Sequence, residues 1–200
     1  MFAALQALLN SAAVSFDLPI LDWIQAHMQC TFLDKAMPIV TLFGDGGVFW
    51  ILVAVALLFF AKYRKTGFSM GMALILGVVI CNIILKRQVA RIRPYDFQLQ
   101  EFGREITLLI SAQHDFSFPS GHTIASFEAC TVLMLHDKRL GIPATILAIL
   151  IAFSRLYLYV HYPTDVLVSV VLGILFGILG TVIVNAIYKK FVYKGKYIEA

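Results

Sequence analysis

The sequence predicts an all-α integral membrane protein, a polytopic helical bundle of about six transmembrane helices. Three observations carry this prediction: 60% of the 200 residues are hydrophobic, only 14% are charged, and the mean hydropathy is +0.84. A soluble domain of this size carries more charge. Long apolar runs alternate with short polar segments along the whole chain, so we expect a single membrane domain over residues 1–200.

The N-terminal part of the chain is apolar but interrupted by polar residues. Residues 1–30 contain an asparagine, a proline and two aspartates, which predicts a helix in or near the membrane interface. This helix leads into a first span that ends near Phe43. The opening residues carry no basic segment, so a cleaved signal peptide is not expected.

The remaining spans follow from the apolar runs. A glycine-rich turn over residues 44–47 separates the first span from the second. The other five predicted spans cover residues 48–61, 67–85, 123–135, 140–159 and 166–188. A polar loop over residues 95–118 is long for a connection, and loops of that length are usually functional or disordered.

Two features inside the predicted spans are interpreted as structural. Glu128 lies in the fourth span, where we expect it to be either protonated or paired within the bundle, and not catalytic. Gly173 and Gly177 form a Gly-x-x-x-Gly pattern in the sixth span, which favours close helix packing. A homodimer interface is the alternative, and the oligomeric state is left open.

The distribution of basic residues predicts the orientation. Nine lysines and arginines follow the second, fourth and sixth spans, whereas six lie at the opposite ends of the spans. Cytoplasmic segments carry the larger number. We therefore expect a multi-pass protein of the plasma (inner) membrane whose polar loops face the extracytoplasmic side. The net charge of +4 is explained by these loops, so no nucleic-acid partner is expected.

In this topology the polar residues of four separate span ends meet at one membrane face. The first polar segment runs from Phe118 to His122. Pro119 ends the preceding structure, Ser120 is a favourable N-cap, and Gly121 lets a ligand approach the backbone. A helix N-terminus of this kind binds anions such as phosphate, and a histidine lies beside it. A solvated helix cap is the alternative.

The second polar segment follows the third span. If that span stays helical to its end, Lys86 and Arg93 share a face, about 10 Å apart along the axis, and can bind one anion. Arg87 and Arg91 then point elsewhere, towards lipid headgroups, and Pro94 ends the helix. A basic membrane border is the alternative.

The third polar segment joins the last two spans. Ser154 is followed by Arg155, which lies between apolar residues, where an unpaired charge costs about 2.5–3.5 kcal/mol at a span centre. It therefore requires a partner unless it extends to the interface. Asp165 lies in the first turn of the next helix and close to His161, and a carboxylate can orient an imidazole. A helix cap beside an interfacial histidine is the alternative.

A metal site is a competing interpretation. Two histidines and an aspartate can bind zinc. However, Lys86, Arg93 and Arg155 are expected at the same face, where three cations would repel a divalent ion and attract phosphate. We therefore expect neither a metal nor another cofactor. The three cysteines are widely spaced and are expected to be packing residues.

Taken together, the three segments resemble the three-part signature of the type 2 phosphatidic acid phosphatase superfamily. The matching residues are Lys86-x6-Arg93-Pro94, then Pro119-Ser120-Gly121-His122, then Ser154-Arg155-x5-His161-x3-Asp165. Every position is filled in the expected order, over residues 86–165. Six predicted spans agree with the membrane branch of that superfamily.

The resemblance implies a role for each matching residue. His161 would attack phosphorus and form a phosphohistidine, Asp165 would orient and activate it, and His122 would protonate the leaving oxygen and later assist water. The phosphoryl oxygens would be bound by Lys86, Arg93, Ser120, Gly121 and Arg155. No metal is implied. Only His161 is expected to have a carboxylate beside it.

The resemblance also predicts the function, a membrane phosphatase acting on a lipid phosphate or diphosphate at the outer face of the bilayer. Among the substrates of small bacterial members, undecaprenyl diphosphate is placed first because of the size of the chain and the outward-facing site. Phosphatidylglycerol phosphate and phosphatidic acid follow. The alternatives are a lipid phosphotransferase that uses the same phosphohistidine, a non-catalytic lipid-phosphate binding or transport protein, and a vanadate-dependent oxidase.

Overall fold

The structure, a computed structural model, describes residues 8–193, and within that range it contains helices and no strand. The first seven residues of the predicted interfacial helix and the last seven of the basic tail lie outside the described residues. A helix over 8–12 continues as a π-helical segment, Ala13–Asp17, and then as α1, Leu18–Met28. The next helix, α2, covers Thr31–Leu42 and so ends where the first span was predicted to end.

Helices α1 and α2 pack against the end of the bundle where the chain runs from Tyr157 to His161. Leu21 and Ile24 of α1 and Met37 of α2 are buried in one cluster with Tyr157 and Leu158. Tyr157 also donates a hydrogen bond from its hydroxyl to the Asp34 carboxylate at 2.5 Å. This cluster fixes the N-terminal helices beside the residues that precede His161.

The glycine turn leads into the second apolar helix. Gly46 and Gly47 have φ values of +56° and +68°, which residues with a side chain adopt only at a cost. They form a short 3₁₀ turn, Asp45–Gly47, that starts α3, Val48–Leu58. The glycine turn thus presents Asp45 at the end of the bundle where the polar segments meet.

The third apolar stretch differs from its prediction at the C-terminal end. It consists of α4, Arg64–Gly77, a π-helical segment, Val78–Leu85, and a last turn, α5, Lys86–Val89. The helix ends because Ala90 adopts a left-handed conformation with φ of 47°. The prediction that the helix continues to Pro94 is therefore wrong.

Pro94 begins a helix instead of ending one. It lies in the first turn of α6, Pro94–Phe102, where a missing N–H costs nothing because that donor has no partner within the helix. The predicted loop over 95–118 is thus helical in its first part and irregular only from Gly103 to Ser120.

The last three helices form the centre of the bundle. They are α7, Gly121–His136, α8, Lys138–Tyr157, and α9, Pro163–Ile187, which continues as a π-helical segment, Tyr188–Tyr193. Helix α7 packs against α4, α8 and α9. An added Cβ at Gly173 would lie 2.7 Å from the Phe127 Cβ, and one at Gly177 would lie 2.7 Å from the Thr131 Cβ. The Gly-x-x-x-Gly pattern therefore serves packing between α9 and α7.

The predicted all-α membrane bundle is confirmed. In the part of the chain that the structure describes, four helical stretches are long and apolar enough to cross a membrane: Thr31–Leu58, Arg64–Phe102, Lys138–Tyr157 and Pro163–Phe191. The first of them holds both α2 and α3, and the central helix α7 is also apolar but has only 16 residues. Together they approximately match the predicted number of six helices.

Candidate active site

A cavity of about 650 Å³ opens at the end of the bundle where the polar segments meet. Of the eight predicted site residues, six line it: Lys86, Arg93, Gly121, His122, Arg155 and His161. The other two lie behind its wall, since Ser120 and Asp165 are fully buried. Residues from all three polar segments are thus brought together in the fold.

Lys86 and Arg93 meet at the cavity, but not on one helix face as predicted. The chain turns at Ala90, so Arg93 returns towards Lys86 from an extended segment. The two cations bind the two carboxylate oxygens of Asp115, one each. Burial alone would raise the pKa of Asp115, but Lys86 and Arg93 outweigh it and hold that pKa below its usual range.

Asp115 was not identified from the sequence. It lies in the irregular loop before α7, and its side chain is 56% exposed. An acid in a polar loop has no sequence signal that separates it from a solvated surface residue. Its carboxylate is the group that bridges two of the three cations in the resting structure.

His161 lies against Arg93. The Arg93 Nη1 atom donates to the Val160 carbonyl at 2.7 Å and lies 3.3 Å from the His161 Nε2 atom. A guanidinium only donates, so in this contact Nε2 is the nitrogen that carries no proton. Burial, together with the charges of Arg93 and Arg155, holds the pKa of His161 well below its usual range. The contact and the lowered pKa both favour a neutral imidazole with its lone pair on Nε2.

The other ring nitrogen of His161 faces Asp165. The Nδ1 atom lies 3.6 Å from Asp165 Oδ2, beyond hydrogen-bond distance, and has no hydrogen-bond partner among the described residues. Asp165 is held by other donors. Its Oδ1 accepts from Arg91 Nη1 at 2.5 Å, and its Oδ2 accepts from the Tyr162 N–H at 3.0 Å and from the Ser117 hydroxyl.

The position of Arg91 differs from the one predicted. It was expected to point to lipid headgroups, but it is fully buried and bridges Asp165 and Asp17, with 2.8 Å between its Nη2 atom and Asp17 Oδ2. Its guanidinium also lies 3.7 Å from the centre of the Tyr162 ring. Thr164 completes the network by donating its N–H and hydroxyl to Asp17. The usable sequence signal was Asp17, an acid in an apolar segment that requires a cation.

His122 has a carboxylate partner of its own. Its Nε2 atom lies 2.6 Å from Asp45 Oδ1. Asp45 belongs to the glycine turn, and its side chain is 57% exposed. The expectation that only His161 has a neighbouring carboxylate is therefore wrong.

Arg155 is buried with part of its guanidinium unpaired. Its side chain is 1% exposed, and Nη1 donates to the Thr41 hydroxyl at 2.6 Å. Its Nε and Nη2 atoms have no hydrogen-bond partner among the described residues. Because unpaired buried donors are costly, and Arg155 lines the cavity, it is suited to bind an anion there.

Ser120 and Gly121 begin α7. The Ser120 hydroxyl accepts from the Thr123 hydroxyl at 3.0 Å, and the Ser120 N–H donates to the Ser169 hydroxyl at 2.8 Å, so the Ser120 side chain does not cap the helix. Gly121 lines the cavity opposite Asn82, whose Oδ1 atom would lie 3.1 Å from an added Cβ. The N–H groups of this first turn have no carbonyl partner within the helix.

The fold and the cavity define a class of protein: a membrane helical bundle with a cavity lined by cations and by the imidazoles of His122 and His161. Residues 66–189, more than half of the chain, match the family model of the PAP2 superfamily. The chain belongs to this superfamily, the one that its three polar segments resemble, and it is a phosphoric ester hydrolase.

Relatives of known identity support this assignment. The chain is 32% identical to an undecaprenyl-diphosphatase of Sulfolobus acidocaldarius, over 74% of this chain and 68% of that protein. It is 31% identical to phosphatidylglycerophosphatase B of Bacillus subtilis, over 87% and 86% of the two chains. The crystal structure of a transmembrane PAP2-type phosphatidylglycerolphosphate phosphatase from Bacillus subtilis superimposes with a TM-score of 0.70 at 26% identity, covering 95% of this chain and 93% of that one.

Proposed function

We propose that this membrane phosphatase hydrolyses a lipid phosphate or diphosphate through a phosphohistidine at His161, without a metal ion. The observation that carries the proposal is the position of the His161 Nε2 atom, unprotonated and 3.3 Å from the Arg93 guanidinium, in a cavity lined by further cations. Phosphoryl transfer depends chiefly on such positioning and on charge stabilisation of the phosphoryl oxygens.

Substrate binding exchanges one anion for another. The phosphoryl oxygens take the place of the Asp115 carboxylate on Lys86 and Arg93, and they reach the two unpaired donors of Arg155. The backbone at Gly121 adds the N–H groups of a helix N-terminus. We place the Ser120 hydroxyl among the groups that bind the phosphoryl oxygens, because it accepts from Thr123 and its own O–H can still donate.

The chemistry then proceeds in two steps. The lone pair of His161 Nε2 forms a bond to the terminal phosphorus while the bond from that phosphorus to the leaving oxygen breaks, and protonated His122 gives its proton to that oxygen. The leaving oxygen is the ester oxygen of a lipid monophosphate or the bridging oxygen of a lipid diphosphate, which departs as the lipid monophosphate. Water next attacks phosphorus, His122 takes a proton from it, and the P–N bond breaks to release inorganic phosphate. Asp165 stabilises the positive imidazole ring of the intermediate. Burial lowers the pKa of His122, and the Asp45 carboxylate opposes that shift and so favours the protonated form that the first step needs.

The fold and the charges support a proposed location. An active site at the end of a membrane bundle lets the lipid tail stay in the bilayer while the phosphate reaches the cations. The nine-to-six distribution of basic residues supports a plasma membrane protein with this end on the extracytoplasmic side. Undecaprenyl diphosphate is the first lipid to test, and phosphatidylglycerol phosphate and phosphatidic acid come next.

Phosphate release by detergent-purified protein, measured across these lipids with a chelator present, tests the proposal. We expect turnover in the wild type and none in His161→Ala. We also expect radiolabel from the substrate phosphate to be trapped on wild-type protein by a rapid quench in alkaline detergent and to be lost in acid, because a P–N bond survives base and is cleaved by acid. His136→Ala, at the opposite end of α7, is the matched control and should stay active. Folded protein that releases no phosphate from any lipid would contradict the proposal, and activity lost only with the chelator would indicate a metal-dependent reaction.

The nearest alternative is transfer of the phosphoryl group to an alcohol. Adding a lipid alcohol as acceptor separates the two reactions, because hydrolysis yields inorganic phosphate and phosphotransfer yields a new phospholipid. We expect inorganic phosphate to be the main product at every acceptor concentration.

A further inference from the structure

The cavity has a second, apolar end deeper in the bundle. Its lining there includes Ile51, Leu74, Val78 and Ile124, from helices α3, α4 and α7 and the π-helical segment after α4. These side chains suit a hydrocarbon tail. One residue among them does not, because Glu128 of α7 also lines this part of the cavity.

Glu128 has no polar partner within residues 8–193. It is 1% exposed, and in that range its Oε1 atom has no hydrogen-bond partner and no residue forms a salt bridge with it. A buried carboxyl without a cation is carried as the neutral acid, which can both donate and accept a hydrogen bond. Ionisable groups inside membrane helices that lack a structural partner usually serve a ligand.

The surrounding backbone leaves space for this carboxyl group. On α4, Gly77 lies directly opposite, and an added Cβ there would lie 2.7 Å from the Glu128 Cδ atom. On α9, an added Cβ at Gly177 would lie 3.0 Å from the Glu128 carbonyl oxygen. Two glycines therefore bring the neighbouring helices close around Glu128 and hold its side chain at the cavity wall.

The position of Glu128 relates it to a particular part of a lipid. It follows His122 by six residues on one helix, so it lies about 9 Å further from the membrane face along the axis. Its side chain leans back towards the helix N-terminus, and thus towards the phosphate. In an acylglycerol phosphate the ester carbonyls follow a few bonds after the phosphate, whereas a prenyl phosphate presents only hydrocarbon there.

We propose that Glu128 determines specificity by hydrogen-bonding the ester-bearing glycerol backbone of the substrate. This inference rests on the proposed function and selects among its substrates. It places acylglycerol phosphates ahead of the prenyl diphosphate that chain size and orientation favoured.

The test compares lipids that carry the same phosphate group and differ only in the part of the lipid attached to it. Diacylglycerol phosphate, its dialkyl ether analogue and a prenyl monophosphate are presented in identical mixed micelles, and kcat/KM is measured for each. We expect the wild type to favour the ester over the ether about tenfold, the equivalent of one hydrogen bond of about 1.4 kcal/mol.

Two variants and a control assign that preference to Glu128. Glu128→Leu should lower kcat/KM on the ester lipid alone and so abolish the preference for ester over ether. Glu128→Gln can still donate a hydrogen bond and should keep most of that preference. Cys130→Ser, buried on the same helix outside the cavity lining, should match the wild type. A wild type with no ester preference, or Glu128→Leu with an equal loss on all three lipids, would overturn the inference. A wild type inactive on every lipid would overturn the proposed function itself.

Discussion

The two histidines of the site each have a carboxylate, but the two pairs are built differently. Asp165, beside His161, is fully buried and held by Arg91, Ser117 and the Tyr162 N–H. Asp45, beside His122, lies on a turn of glycines with more than half of its side chain exposed. One carboxylate is fixed and the other can move away.

This difference fits the proposed roles. A nucleophile that carries phosphorus through two steps requires one constant orientation, which a carboxylate tied to three donors supplies. A proton donor and acceptor must let substrate and water reach its Nε2 atom, where Asp45 lies at 2.6 Å in the resting structure. A fixed carboxylate there would block the reaction.

The largest expected effect is at the fixed carboxylate. Asp165→Asn should lower kcat by about 10³–10⁴-fold, because the imidazole loses the charge that orients and stabilises it. The measurement is single-turnover release of phosphate by protein whose folding is checked by thermal unfolding. A loss of less than tenfold in folded protein would show that Asp165 acts only as a cap of α9.

The second effect concerns Arg91, which holds Asp165 in place. Arg91→Met leaves two buried carboxylates without their cation, so we expect a loss of about 3–5 kcal/mol in unfolding free energy and a Tm lower by about 6–20 °C. Adding Asp17→Asn should restore part of that loss. Arg87→Met, at an exposed position of α5, is the control and should unfold like the wild type.

A third effect is on proton binding by His161. Its pKa is lowered by burial and by the cations around it, so the folded protein should keep this ring neutral well below pH 6.5, where an ordinary histidine is protonated. Nitrogen-15 NMR of histidine-labelled protein, with His161→Ala for assignment, measures this directly. Titration of His161 at or above pH 6.5 would contradict the prediction and the neutral nucleophile with it.

The smallest effect is expected at the movable carboxylate. Asp45→Asn should lower kcat by about tenfold or less, since water and substrate can replace an exposed partner of His122. The ratio of the Asp165→Asn and Asp45→Asn losses, measured on one lipid, tests the comparison itself. Equal losses would mean that the two pairs work in the same way.

The sequence predicted the apolar helices and the meeting of their polar ends well, and the connections between the helices poorly. Hydropathy is a property of long runs, so the apolar helices and the meeting of their polar ends follow from it. The third span was extended too far because the left-handed turn at Ala90 leaves no mark in residue type. That single turn moved Arg91 from the lipid to the protein interior and brought Arg93 to Lys86.

The site features that the sequence analysis did not identify were overlooked for one physical reason. Asp45 and Asp115 lie in polar turns and loops, where acids are common and usually solvated, and only the fold shows that they face histidine and arginine. Glu128 was recognised as unusual for its depth, but its cavity depends on the absence of a side chain at Gly77 on another helix. Contacts between distant segments of this kind carry no local pattern.

The bridge from Asp115 to Lys86 and Arg93 gives the resting enzyme an internal counter-ion. Chloride or dilute phosphate dissolved in water must compete with a tethered carboxylate whose effective concentration is far higher. A lipid confined to two dimensions also presents its headgroup at high local concentration, and the chain of the lipid adds its own affinity. We therefore expect the site to select for anions delivered along the membrane and against those arriving from solution.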